Sequence, residues 1–123
     1  MKHNPAFEAL CEAARKNVTE ISIADVKQQI DDGTLPLLLD VREESEWHKH
    51  HLPKAQYLGR GVLERDIETQ VTDKSTPMIL YCGGGYRSAL AAESLQKMGY
   101  TAVLSMAGGF RGWLDANYPV VTE

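Results

Sequence analysis

Met78-Ile79-Leu80-Tyr81-Cys82-Gly83-Gly84-Gly85-Tyr86-Arg87-Ser88, continued by Ala89-Leu90-Ala91-Ala92-Glu93-Ser94-Leu95, is the stretch that decides the fold. Continuous apolarity over so few residues as 78–81 suits a strand buried on both faces, as in a parallel sheet. The residues from Ser88 onward have helical spacing. Strand, glycine loop, arginine and helix in that order put Cys82 at the carboxyl end of a strand, where open α/β sheets form their ligand crevice. Three consecutive glycines admit φ values closed to other residues, so several N–H groups can converge on one small hollow. That hollow abuts a helix N-terminus, whose free amides and dipole favour negative charge, and Arg87 adds a cation with up to five donors. Such surroundings favour a Cys82 thiolate at neutral pH without a histidine base, and the same amides would hold its adduct. The alternative is a small buried hydrophobe beside a turn. A turn alone needs neither three glycines nor an arginine at the helix start.

Outward from this loop, strand and helix alternate. Asn4-Pro5 opens a helix with an apolar stripe of Phe7, Leu10, Cys11, Ala14 and Val18. A strand is expected at 19–21, and a capping-box-like Ser22-Ile23-Ala24-Asp25 starts a helix that runs through Ile30 and stops at Asp31-Asp32-Gly33. Residues 37–41 read as a second buried strand, 43–47 as a short helix, 55–58 as a short strand, and 62–71 as a helix. After the strand at 78–81 come a helix at 88–98 closed by Gly99, a strand at 102–105 and a last helix at 108–117. The pattern predicts one α/β domain with a mostly parallel central sheet and helices on both faces.

Composition excludes several other classes. A chain of 123 residues with 43% apolar content can bury a core without metal or disulfide staples. Its two cysteines, Cys11 and Cys82, form at most one bridge, and the first residues do not resemble a secretory signal, so a reduced, cytoplasmic setting is expected. Apolar runs fall far short of the ~20 residues of a membrane helix. With 13 basic and 17 acidic groups, net −4, the chain is not a nonspecific nucleic-acid binder. The surplus of acid lies in residues 1–75, with 14 acidic against 10 basic, whereas 76–123 hold 3 of each. An anionic ligand meets less repulsion in the second part.

Beyond the loop, the chain carries Leu39-Asp40-Val41-Arg42 with Glu46-Trp47, His51-Leu52-Pro53-Lys54-Ala55, and Gly99-Tyr100 with Val103-Leu104 leading to Gly108-Gly109 and Trp113. With Cys82 to Arg87, these resemble the rhodanese family of sulfurtransferases over residues 21–113. The family's usual Gly-His-Ile-Pro-Gly-Ala is here His50-His51-Leu52-Pro53-Lys54-Ala55, with both glycines replaced. The resemblance implies a rhodanese-like domain over 19–123, with residues 1–18 a helical extension packed on it. It implies a double displacement: Cys82 takes the outer sulfur of a small donor anion such as thiosulfate, or of a persulfide, and passes it to a thiol or cyanide. A protein sulfur carrier is a further candidate partner. Cys82 and Arg87 are the implied catalytic pair. Gly83, Gly84, Gly85, Tyr86 and Ser88 form the implied binding loop, and no metal or organic cofactor is required.

Arg60, in Gly59-Arg60-Gly61, belongs to a segment that in related proteins approaches the pocket, so it is a second candidate for binding an anionic donor; a solvated loop arginine is the alternative. Asp40 is expected to brace the loop by accepting from backbone donors or an arginine, and Arg42 to pair locally with Glu46. Cys11 is assigned to the core, and His48-Lys49-His50-His51 to adventitious rather than dedicated metal binding. Two other functions are weighed. One is a rhodanese-like module that binds a partner or senses anions without turnover. The other is a cysteine phosphatase or arsenate reductase, but dual-specificity phosphatases place five residues between Cys and Arg, and this chain has four. Glycines at 83–85 bring no side-chain charge, which leaves backbone dipoles and Arg87 to hold thiosulfate weakly.

Overall fold

A computed structural model describes residues 3–122. Met1, Lys2 and Glu123 lie outside the described residues, and with them the outermost ends of the two expected segments 1–18 and 19–123. Among the described residues six helices and five strands alternate: α1 (Pro5–Asn17), β1 (Thr19–Ile21), α2 (Ile23–Asp32), β2 (Leu37–Asp40), α3 (Glu44–Lys49), β3 (Gln56–Tyr57), α4 (Leu63–Gln70), β4 (Met78–Tyr81), α5 (Tyr86–Lys97), β5 (Val103–Met106) and α6 (Gly109–Asp115). A 3-10 turn at Arg60–Val62 precedes α4. The five strands form one parallel sheet in the order β1-β5-β4-β2-β3.

The central strand shows why the sheet must be covered on both sides. All four residues of β4 are buried. Met78, Leu80 and Cys82 enter one core with Leu39, Val41, Leu63 and Ile67 and with Ala91, Ala92 and Leu95 of α5. Ile79 and Tyr81 enter the other, with Val26 of α2 and Phe110 and Trp113 of α6. Period-two alternation thus feeds two separate cores, and each fully buried Leu, Ile or Met contributes about 1.5–3 kcal/mol. From β4 the chain goes to β5 on one side, whereas from β2 it goes to β3 on the other. A crevice opens where connections diverge, between the carboxyl ends of β2 and β4.

Helix limits follow local chemistry. Ser22 caps α2 by accepting from the Asp25 N–H at 3.0 Å, and Gly33 closes it in the left-handed conformation at φ 73°. Helix α3 starts one residue later than expected, with Glu43 and Glu46 forming a capping box, and it continues to Lys49. Helix α5 starts at Tyr86, two residues before the expected Ser88, because Gly85 turns the chain at φ 98° and frees the next residues to be helical. The expected stripe on α1 is only partly buried: Cys11 and Ala14 are enclosed, but Leu10 is 58% exposed. Only a narrow strip of α1 faces α5, and the residues that reach it are small.

Candidate active site

The loop between β4 and α5 wraps around the Cys82 sulfur. Cys82 Sγ accepts from the Gly85 N–H at 3.1 Å and the Ser88 N–H at 3.3 Å. It also lies 3.5 Å from Ser88 Oγ, which is 2.8 Å from Ser105 Oγ of β5. Two amides from the first turn of a helix and its cap thus converge on one sulfur. That arrangement stabilises negative charge there. The thiol is 1% exposed and sits at the floor of a cavity of about 330 Å³.

The far side of the loop is held by α6. The Phe110 N–H donates to the Cys82 carbonyl at 2.7 Å, and the Arg111 N–H to the Gly83 carbonyl at 2.9 Å. This approach requires glycine at 109, where φ is +60° and a Cβ would stand 2.6 Å from the Cys82 oxygen and 2.7 Å from Gly83 C and O. Gly83 and Gly84 leave room for guanidinium groups: a Cβ would meet Arg87 Nη2 at 3.2 Å from Gly83, and Arg111 Nη1 at 3.4 Å from Gly84.

Arg87 turns towards α3, where Nη1 donates to Glu46 Oε1 at 3.1 Å and Nη2 to Oε2 at 3.4 Å. Burial opposes the charge on Arg87, but the Glu46 hydrogen bonds outweigh it and hold the guanidinium above its ordinary value. Burial likewise works against Glu46, yet Arg87 and the Glu43 N–H hold its carboxyl below the usual carboxylate range.

Asp40 and Arg42 build the other lip of the crevice. The buried Asp40 carboxylate accepts from the Arg42 backbone N–H at 2.9 Å, from the guanidinium at 2.8–3.1 Å, and from the Tyr81 hydroxyl at 2.6 Å. The expected local pair of Arg42 with Glu46 is corrected: Arg42 pairs with Asp40 and donates to the His50 carbonyl at 2.7 Å, and Glu46 serves Arg87. The physical reason is burial. Arg42 is 3% exposed and needs a buried counter-charge, which β2 supplies two residues away.

Of the expected site residues, the cavity brings together Cys82, Gly83, Gly84, Tyr86 and Arg87, with Gly85 and Ser88 behind the sulfur. Arg60 stands elsewhere. Its Nη1 pairs with Glu64 at 2.6 Å, and it lines a different depression with Tyr57 and Gly59. Sequence reading missed Arg111, Glu46, His3 and Phe7, which complete the cavity wall. Only Arg111, two residues after a glycine pair, carried a local signal; the others arrive through tertiary packing. His50 faces the Phe110 ring at 4.7 Å, whereas His51 stacks on Trp47 at 3.5 Å, so these neighbouring imidazoles diverge. Among the described residues no three His, Cys, Asp or Glu side chains are grouped to hold a metal ion. Cys11 is fully buried on α1, and burial, followed by electrostatic coupling to Cys82 and Glu12, pushes its thiol up.

Comparison with known proteins agrees with this architecture. Residues 22–116 match the Rhodanese-like domain family. The chain is 31% identical over 83 residues to the thiosulfate sulfurtransferase GlpE of Coxiella burnetii (strain RSA 331 / Henzerling II), covering 68% of this chain and 75% of that protein. It is 30% identical over 97 residues to YrkF of Bacillus subtilis (strain 168), whose name calls it a sulfur carrier, covering 79% of this chain and 51% of YrkF. The match thus spans only about half the length of that relative. Among solved structures, RPA3614 from Rhodopseudomonas palustris CGA009, described as a possible tyrosine phosphatase of unknown function, superposes with TM-score 0.85 at 28% identity over 98% of both chains.

Proposed function

The chain belongs to the rhodanese-like domain family, and from that membership and the loop geometry we propose that it is a sulfurtransferase working through a Cys82 persulfide. The observation that carries this reading is the convergence of the Gly85 and Ser88 N–H groups on Cys82 Sγ at the floor of an open cavity. The Cys82 thiolate attacks the outer sulfur of a donor such as thiosulfate. A sulfur–sulfur bond forms, the donor's own sulfur–sulfur bond breaks, and its electron pair leaves on sulfite. The persulfide then rests among the loop amides, with Arg87 anchoring the loop through Glu46. An acceptor thiolate or cyanide attacks the outer sulfur and releases Cys82 as thiolate. The amides act on each charged state without a proton donor, and no metal or organic cofactor enters these steps.

On the same reading, residues 1–18 are an extension packed on a domain of residues 19–123, and Asp40 with Arg42 braces the crevice. Arg60 is not assigned to donor binding. The cysteines are both free, which supports a reducing, cytoplasmic setting. No helix among the described residues is long and apolar enough to cross a membrane.

Intact mass after incubation with thiosulfate, or with a low-molecular-weight persulfide, tests the mechanism. Wild type is expected to gain one sulfur atom, and Cys82→Ala none. Equal gain by both proteins, or no gain by wild type with any donor, overturns it. The likeness to RPA3614 favours one second reading, phosphate-ester hydrolysis. Four residues between Cys82 and Arg87, and an arginine already paired with Glu46, argue against it. Hydrolysis of an aryl phosphate that depends on Cys82 would reverse that choice.

A further inference from the structure

Resting on the sulfur-transfer reading, we propose that the cavity over Cys82 takes an organic sulfane-sulfur monoanion, of the thiosulfonate class, in preference to inorganic thiosulfate. Arg111 holds the sulfonyl oxygens, and the rings of Phe7 and Tyr86 hold the organic group.

The first ground is charge. Two guanidinium groups face the cavity, but Arg87 is neutralised by Glu46. The Arg111 guanidinium is exposed and has no hydrogen-bond or ion-pair partner among the described residues. It lies beside Gly84, where an added Cβ would stand 3.4 Å from Nη1. One uncompensated cation matches a monoanion. A thiosulfate dianion would bring a second charge with no fixed cation to meet it.

The second ground is the aromatic part of the same cavity wall. Phe7 of α1 and His3 just before that helix lie outside the 22–116 family match, and they meet Tyr86, the first residue of α5. Phe7 packs on Tyr86 at 6.0 Å between ring centroids and 76° between planes, and His3 lies 5.2 Å from Phe7 and 5.3 Å from Tyr86. The Tyr86 hydroxyl donates to Glu12 of α1 at 2.7 Å, which keeps this aromatic wall in register with the loop. Rings and a cation lining one cavity with the thiol select a ligand with an apolar end and an anionic end. The third ground is size. A volume of about 330 Å³ falls in the range of sites for small organic molecules. Inorganic thiosulfate would leave the aromatic wall unfilled.

The chemistry balances without a co-reactant. The Cys82 thiolate attacks the terminal sulfur of R–SO2–S⁻ and a cysteine persulfide forms. The bond between that sulfur and the sulfonyl sulfur breaks, and its electron pair leaves on the sulfinate R–SO2⁻, whose oxygens stay on Arg111.

The test compares benzenethiosulfonate with thiosulfate as donors to the full chain, following Cys82 persulfide by intact mass, with benzenesulfinate binding measured separately by calorimetry. Wild type is expected to load about tenfold faster from benzenethiosulfonate, the difference one well-placed ionic and one aromatic contact make. Phe7→Leu keeps an apolar side chain on α1 so that the helix stays packed. It should cut the ratio of the two rates about fivefold and weaken benzenesulfinate binding. Arg111→Gln should slow benzenethiosulfonate about tenfold, with Arg111→Lys recovering part of the loss. Faster loading from thiosulfate by wild type, or an unchanged ratio in Phe7→Leu, overturns this proposal and leaves the sulfur-transfer reading intact. Failure of both donors to load Cys82, with benzenesulfinate still bound through Phe7 and Arg111, overturns sulfur transfer and upholds the ligand class. Failure of both loading and binding overturns both.

Discussion

Lys54 and His50 occupy the positions where the resembled motif has glycine, and they behave differently. His50 is extended at φ −172°, a conformation open to any residue. Lys54 stands at φ 68°, in the left-handed region that costs a side-chain-bearing residue of order 1–2 kcal/mol. Lys54→Gly is therefore expected to stabilise the protein by about 0.5–1 kcal/mol after the extra freedom of glycine in the unfolded chain is subtracted. A higher urea midpoint with an unchanged slope checks it; a lower midpoint means that the lysine side chain contributes more than its backbone strain costs. Nothing in the side chain of Lys54 signals its φ angle. The partners of Arg42 were equally hidden. Proximity in the chain suggested Glu46, but only folding reveals that Arg42 is buried and that Glu46 faces an arginine 41 residues further on.

Helix α6 is the element on which the loop geometry depends. Its first turn supplies the N–H groups that hold the Cys82 and Gly83 carbonyls, so β4, the loop and α6 form one joint. Gly109→Ala would push a methyl group into backbone atoms at 2.6–2.7 Å in a left-handed conformation. Neither obstacle can swing away. The expected cost is about 2–4 kcal/mol, together with slower sulfur loading of Cys82, read by denaturant unfolding and intact mass. Gly112→Ala on the same helix is the contrast. Its Cβ would meet only the Ile23 side chain, at 3.6–3.9 Å, and alanine favours the helix, so stability should hold or rise by about 0.5–1 kcal/mol. Losses of equal size at both positions would refute the close-approach account. The glycine pair was visible in the sequence. Both have a left-handed φ, 84° at Gly108 and 60° at Gly109, but which of the two also meets backbone at close range depends on where the Cys82 carbonyl lies.

Across the fold, Tyr81 is the side chain that ties the layers together. It projects from β4 into the α2 and α6 core, donates to Asp40 of β2 at 2.6 Å, and accepts from the Leu52 N–H at 3.1 Å. Burial, and then the negative charge of Asp40, hold its hydroxyl well above the ordinary tyrosine value, so it remains a donor. Tyr81→Phe leaves the Leu52 N–H unpaired and the Asp40–Arg42 pair one donor short. The expected loss is about 1–3 kcal/mol, measured by thermal or urea unfolding; no loss would mean that these groups find other partners. Alternating strands and helices, the buried run at 78–81, the glycine loop and the position of Cys82 at a strand end were all set by the sequence alone. They rest on local periodicity and on the few backbone conformations each residue type allows. Which arginine of the Cys82 cavity stays unpaired among the described residues, which carboxylate neutralises Arg87, and that α1 lends Phe7 to the cavity were decided only by tertiary structure. Those facts depend on contacts between segments up to about eighty residues apart, and no local pattern encodes a distance across a core.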